Sequence, residues 1–422
     1  MRLAHWGPPG PDASWSATLA PHLGRETTLA RVEAEPAARP AADLDLYEIA
    51  DEPAHAFVYR AALARPGVVA LRDWSLPRLV AGATLGAGDV SAYLREARRA
   101  HGEAGAFVAR QVARGLGGRV LPALFSFNDR LLEGSLGVVA PTRQVAVRVA
   151  RRAPGRPLLK LPLDALAPAA EPPGEEEARR RFGLPPDAPV LAVDAEDPEA
   201  ARLGVVAPVL ARLGEAWPEL RVLWIGAPPP DVPGLPRGQS LPPPLATATL
   251  LAAVAAADVL LALRFPAGGG LPRGVVRALE AGRPALVSAG TAAAEELPEG
   301  VVVPVDPDAG EAAQVEALVS RLLRDRALRR TIGAAARAHL RTLRDPRDAA
   351  RRFESFLREV LLSRDGAERA IAAARAHEGT LLGDAVEEVG RAARDLGLGG
   401  VGLGLEPLLA EILGDASRAG RP

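Results

Sequence analysis

The stretch RFPAGGGLPRGVVRALEAGRPALVSAGTAAAEELP, Arg264 to Pro298, decides the fold. Just before it, Asp258 to Arg264 is a short apolar run that ends at a turn, the pattern of a buried strand. Pro266 to Gly270 is a glycine-rich loop, where backbone can approach a ligand closely. Gly274 to Ala281 has a helical pattern, stopped by Gly282-Arg283-Pro284. Pro284 to Ala289 reads as a second buried strand. Strand, loop, helix and strand make a βαβ unit with its loop at the carboxyl end of the first strand, where open parallel sheets bind ligands. Three glycines before a helix can present N–H groups to an anion such as a phosphate. The same loop is equally readable as a tight strand-to-helix turn that binds nothing.

Outward from this unit the pattern repeats. Strands are expected at Val190–Asp194, Arg221–Gly226, Val259–Arg264, Ala285–Ser288 and Val301–Val305, with helices near 198–214, 246–257, 310–324 and 326–343. Upstream, strands at 2–7, 27–33, 44–50, 67–73, 137–142 and 157–163 alternate with helical segments. Ser14 is placed to cap a helix from about Trp15. Two further helices are expected over 90–115 and 121–133. Alternation of this kind specifies parallel α/β sheets. Residues 165–174, ALAPAAEPPG, read as a linker. The expected division is therefore 1–164, a linker at 165–174, 175–345, a helix at 346–362, and an Ala- and Gly-rich tail at 363–422 with an amphipathic segment near Asp384–Leu396.

Composition bounds the function. A chain of 422 residues has room for two or three domains at ~150 residues each. A net charge of −1 provides no global field for nucleic acid, and Lys160 is the only lysine. There is no cysteine, so disulfides and thiolate metal sites are excluded, and the six histidines are scattered. No apolar run reaches the ~18 residues of a membrane span. Met1 leads directly into a strand, so no signal peptide is expected and a cytoplasmic location is the default.

Arg277-Ala-Leu-Glu-Ala-Gly-Arg-Pro284, followed by Glu296-Leu-Pro298, resembles the glycosyltransferases of family 4. Those enzymes carry a helix reading EALA-x-G-x-P, a strand and an E-L-P turn. In the first half, Tyr47 to Tyr59 and Arg65 to Trp74 resemble a bacterial subgroup with a Y-x-x-G-N-x-P-x-H segment and an R-P-G-V-V-x-L-H-D strand. The resemblance covers about residues 1–362. It implies the GT-B architecture: two Rossmann-like domains facing a cleft, acceptor-side first and donor-side second, with a last helix crossing back to the first. It also implies a nucleotide-sugar donor, a cell-envelope glycan or glycolipid acceptor in polysaccharide biosynthesis, hexosyl transfer with retention, and no metal or other cofactor.

Residue by residue, several family groups are replaced. The donor-diphosphate lysine falls on Ala201, leaving its neighbour Arg202 as a substitute or as an ordinary helix arginine. Arg264, at the end of its strand, is the stronger phosphate candidate, together with Gly268, Gly269, Gly270, Arg273 and Gly274. The two family glutamates fall on the glycine loop and on Arg277; Glu280 lies one turn further on, and Glu296 keeps its context. On the acceptor side the family His-Asp is Arg72-Asp73. Arginine cannot serve as a base, so Asp73 is left to orient a hydroxyl. His55 matches the subgroup histidine, and Asp51 stands where the subgroup has Asn. The cluster Arg148–Arg156 is either a solvated helix face or a peripheral contact with anionic lipid at the inner membrane face. Three functions stay open: a glycosyltransferase, a catalytically impaired protein acting as a binding or scaffold partner, and a sugar-nucleotide epimerase.

Overall fold

The computed structural model describes residues 1–9, 15–36, 40–116, 125–167, 171–228, 231–266, 268–376 and 389. Ser14 and the segment 384–396 lie outside the described residues, apart from position 389.

The first sheet contains β1 (Arg2–Trp6), β2 (Thr28–Val32), β3 (Leu44–Ile49), β4 (Val68–Leu71), β5 (Gly137–Ala140) and β6 (Leu158–Lys160). Its order is β2-β1-β3-β4-β5-β6, with every pair parallel. The second contains β7 (Val190–Ala195), β8 (Arg221–Gly226), β9 (Gly238–Leu241), β10 (Val259–Ala262), β11 (Ala285–Ser288) and β12 (Val303–Val305). Its order is β12-β11-β10-β7-β8-β9, also parallel throughout. Each sheet starts at an interior strand, builds outward to one edge, then returns to build the other side. The strand order therefore reverses between β1 and β3 in the first sheet and between β7 and β10 in the second. Crevices open at such reversals, outside the carboxyl ends of the strands.

Both faces of each sheet are covered, which explains the nearly continuous apolar strands. Leu44 and Leu46 of β3 enter one core while Tyr47 and Ile49 enter the opposite one, following the two-residue period of a strand. In β7, Val190 and Ala192 face one core and Leu191 and Val193 the other.

Element boundaries differ from the sequence expectation in places. β9 was not expected; it is a short edge strand with exposed Gly238 and Gln239, so it lacks an apolar run. The helix expected over 198–214 starts only at Leu203, because Arg202 adopts a left-handed conformation (φ 50°). Of the helix expected at 121–133, Asp129–Glu133 is helical and 125–128 is not, while 121–124 lie outside the described residues. The last helix runs unbroken from Pro346 to Ala376 rather than stopping near 362. It buries Phe353, Phe356, Leu357, Val360 and Ile371 in the core beneath the first sheet, where Phe353 meets Trp15 edge-on with centroids 5.7 Å apart.

Candidate functional site

The two halves touch mainly through segments that follow strand carboxyl ends. Trp74 N–H, beyond β4, donates to the Gly268 carbonyl at 2.6 Å. The Thr142 hydroxyl, beyond β5, donates to the Gly269 carbonyl at 2.8 Å. Glu296, in the helix after β11, accepts from the Arg143 backbone N–H and pairs with Lys160 Nζ at 2.6 Å. Arg78 reaches Asp197 across the cleft at 3.7 Å.

These contacts show why three glycines occur in a row. A Cβ on Gly268 would sit 2.9 Å from Asp73 Oδ1. On Gly269, whose φ is +96°, it would sit 2.8 Å from Val145 Cγ2, and on Gly270 2.6 Å from the Arg72 carbonyl oxygen. The loop turns its carbonyls toward the first half and presses against the Arg72-Asp73-Trp74 turn. The close approach that needs glycine is thus to the first half: to side chains at Gly268 and Gly269, and to backbone at Gly270. Gly274 serves a related end, since a Cβ there would be 2.8 Å from Asp194 Oδ2.

Charge pairs occupy both strand reversals. In the second sheet, Arg264 Nη2 lies 2.9 Å from Asp194 Oδ1, joining the segment after β10 to β7. Burial opposes the Arg264 charge, but Asp194, Asp197 and Glu196 more than offset it and raise its pKa. Arg264 Nε and Asp194 Oδ2 are buried without a hydrogen-bond partner among the described residues. Beside them Arg273 Nη1 lies 3.1 Å from Glu196 Oε1, and burial together with Asp194 raises the pKa of Glu196. In the first sheet, His5 Nε2 of β1 lies 3.0 Å from Glu48 Oε2 of β3. Arg31 donates to His5 Nδ1 at 3.1 Å, which places the ring proton on Nε2. Burial holds His5 below its ordinary pKa.

Arg72 is fixed by Asp164 at 2.9 Å and Glu48 at 3.8 Å. Asp73 Oδ2 accepts the Asp51 N–H at 3.0 Å, and burial raises its pKa. Asp51 accepts from the N–H groups of Arg78 at 2.7 Å and Leu79 at 2.9 Å, which holds the start of the helix Pro77–Ala83 against the end of β3. Burial pushes its carboxyl up to about 7, against the pull of Leu79 N–H and Arg78. His55 is buried and its Nδ1 contacts the Glu48 carbonyl at 2.8 Å.

The remaining expected residues lie in other pairings. Arg202 pairs with buried Glu311 and stacks over Phe265. Arg277 pairs with Glu280 at 2.6 Å, and Glu280 also with Arg344 at 2.5 Å, all inside the second half. Arg148 lies over Trp74, Arg152 pairs with Asp129, and Arg156 donates to the Glu133 carbonyl at 3.1 Å. Sequence reasoning missed Asp194, Glu196, Asp197 and Arg78. The first three form an acidic run immediately at the carboxyl end of β7, a place that could have marked them; Arg78 gave no such signal.

No family profile and no curated protein sequence matches the chain. Solved structures do resemble it. Sucrose-phosphate synthase from Thermosynechococcus elongatus superposes with a TM-score of 0.53 at 13% identity, over 86% of this chain and 99% of that one. Anabaena HepE in complex with UDP and glucose gives 0.52 at 13% identity, over 85% and 100%. The HepE complex with UDP-glucose gives 0.50 at 13% identity, over 87% and 100%. At this identity the likeness is one of fold, and the fold is GT-B with a helical extension at its carboxyl end.

Proposed function

We propose that the chain is a glycosyltransferase of family 4 type, a hexosyltransferase that takes a sugar from a nucleotide donor with retention and passes it to a cell-envelope glycan or glycolipid. The observation that carries this reading is Arg264. It sits at the strand reversal of the second sheet, where its guanidinium meets Asp194, and keeps a buried Nε–H without a hydrogen-bond partner among the described residues. A diphosphate is the ligand that such a donor suits, because phosphate oxygens accept paired guanidinium hydrogen bonds. Arg273 and the Gly268–Gly270 loop border the same place. Asp73, with Arg72 locked behind it, orients the acceptor hydroxyl. HepE, solved with UDP-glucose, supports a uridine nucleotide sugar as the first donor to test. In this reading residues 1–164 form the acceptor side, 165–174 the linker and 175–345 the donor side. The Arg148–Arg156 face then lies where a lipid acceptor would be presented at a membrane; among the described residues no helix is long and apolar enough to cross one.

A second reading, a binding or scaffold protein with impaired chemistry, is favoured by one observation. Arg264, Arg202, Arg273 and Arg277 are each paired with a carboxylate: Asp194, Glu311, Glu196 and Glu280. Calorimetric binding of UDP-glucose together with a UDP-release assay in the presence of glycan and glycolipid acceptors separates the two. Binding with turnover supports the transferase, and binding without turnover supports the second reading.

A further inference from the structure

The second sheet carries a cavity of about 320 Å³ at its other end, away from the cleft. Asp258, just ahead of β10, and Pro284, just ahead of β11, place it at the amino-terminal edge of the strands. Pro172 and Pro173 of the connector between the halves form part of its wall.

Five guanidinium groups line it against two carboxylates, and both carboxylates are already engaged. Glu175 lies 3.0 Å from Arg283 and 3.4 Å from Arg179. Asp258 lies 3.1 Å from Arg179 and 3.0 Å from Arg329. Burial raises the Glu175 carboxyl, yet Arg283, Arg179 and Arg326 outweigh it and hold the group below its ordinary pKa. Arg337 spends one Nη on the Ala281 carbonyl at 3.1 Å. Arg326 and Arg330, one turn apart on the helix Arg326–Leu343, hold no hydrogen bond or ion pair among the described residues.

We propose that this cavity binds a small molecule through a phosphate or diphosphate group, at a site separate from the cleft. The paired arginines and the backbone carbonyls make a fixed rim. Arg326 and Arg330 supply the uncommitted donors, and guanidinium forks match phosphate oxygens two at a time. A concave wall strengthens the field that convergent cations produce. An occupant there touches both the connector and the helix that precedes the crossing helix Pro346–Ala376. The site does not depend on the sugar-transfer reading.

The test titrates inorganic phosphate, pyrophosphate and glucose 6-phosphate into the full chain by calorimetry, at constant low ionic strength set with chloride. The expected result is binding of at least one probe, weakened at least fivefold in Arg326→Ala/Arg330→Ala. Arg347→Ala/Arg358→Ala, which removes the same charge from exposed positions on the last helix, leaves affinity within twofold. Tighter binding of pyrophosphate assigns a diphosphate ligand; tighter binding of glucose 6-phosphate assigns a sugar phosphate. Because Arg326 and Arg330 are exposed and hold no hydrogen bond or ion pair among the described residues, the variant should melt with wild type. Absence of binding by wild type at millimolar probe overturns the proposal. So does a loss smaller than fivefold, or an equal loss in both double variants.

Discussion

Arg264 and Asp194 form a half-buried ion pair, 2.9 Å between Nη2 and Oδ1, across the strand reversal of the second sheet. Asp194 therefore competes for the guanidinium that a diphosphate would use. Replacing Asp194 with Asn keeps the shape, removes the rival charge and lessens the repulsion of an incoming anion. Nucleoside-diphosphate affinity is expected to rise by ~1 kcal/mol, about one hydrogen bond exchanged. An unchanged or weaker affinity in calorimetry would mean that Asp194 does not hold Arg264 away from a ligand.

The glycine loop gives a stability prediction. Gly270→Ala puts a Cβ 2.6 Å from the Arg72 carbonyl oxygen, so the loop must lift from the first half. The expected cost is ~1–3 kcal/mol, the range for overpacking a close contact. Denaturant unfolding measures it, and a wild-type midpoint with a wild-type m-value would refute the tight docking. For the same reason Gly270→Glu, which restores a family carboxylate in sequence, is not expected to restore activity.

The last helix gives a second. Phe353 is 1% exposed and closes the core under the first sheet. Phe353→Ala is expected to cost ~3–5 kcal/mol. A chain ending at Arg344 should lose more than one ending at Ala376. A chain ending at Ser363 should fall between them, because Ile371 is buried and Arg375 donates to the Leu63 carbonyl at 2.7 Å. Equal melting of the 344 and 376 chains would show that the helix does not hold the first half.

Asp51 gives a pH dependence. Its folded pKa of about 7 lies above the unfolded value, so the folded state keeps a proton that the unfolded state has released. Its contribution is present in full below pH ~4 and is lost as pH rises to ~7, at up to ~1.4 kcal/mol per unit. His5 and His55, both held below their ordinary value mainly by burial, act with the opposite sign below pH ~6.5. The comparison is therefore wild type against Asp51→Asn. Over pH 4.5–7 the difference between the two should move steadily in the variant's favour. Parallel curves would place Asp51 at an ordinary pKa.

Much of the fold was legible because its signals are local. Short apolar strands such as 259–262 and 285–288 are bounded by charges, glycine and proline, and their spacing defines parallel crossovers. β9 escaped because it lies at an edge and carries Gly238 and Gln239 in place of an apolar run. In sequence the last helix reads as stopping near 362 because the tail beyond it is Ala- and Gly-rich; in the structure it continues through Gly366 to Ala376, with Ile371 buried. The site was legible as a place rather than as a set of partners. The glycine loop was visible, but not that it faces Arg72-Asp73-Trp74, nearly two hundred positions earlier. Arg264 and Glu280 were visible as charges, but their partners Asp194 and Arg344 lie far away in sequence, beyond the reach of periodicity.

The most direct test of the account is calorimetric titration of UDP-glucose into chains with Arg264 intact and with Arg264→Ala. Both are measured in the Arg326→Ala/Arg330→Ala background, so that only the cleft is read, and melting is checked in parallel because the change leaves Asp194 unpaired. The account predicts binding that Arg264→Ala weakens by ~1.5–3 kcal/mol, the range for a charged hydrogen bond. Hydrolytic release of UDP, with no acceptor present, should be slow or undetectable even where the ligand binds, because the family lysine, both glutamates and the histidine are replaced by Ala201, the glycine loop, Arg277 and Arg72. Equal affinity with and without Arg264, or no binding at all, would contradict the donor site proposed here.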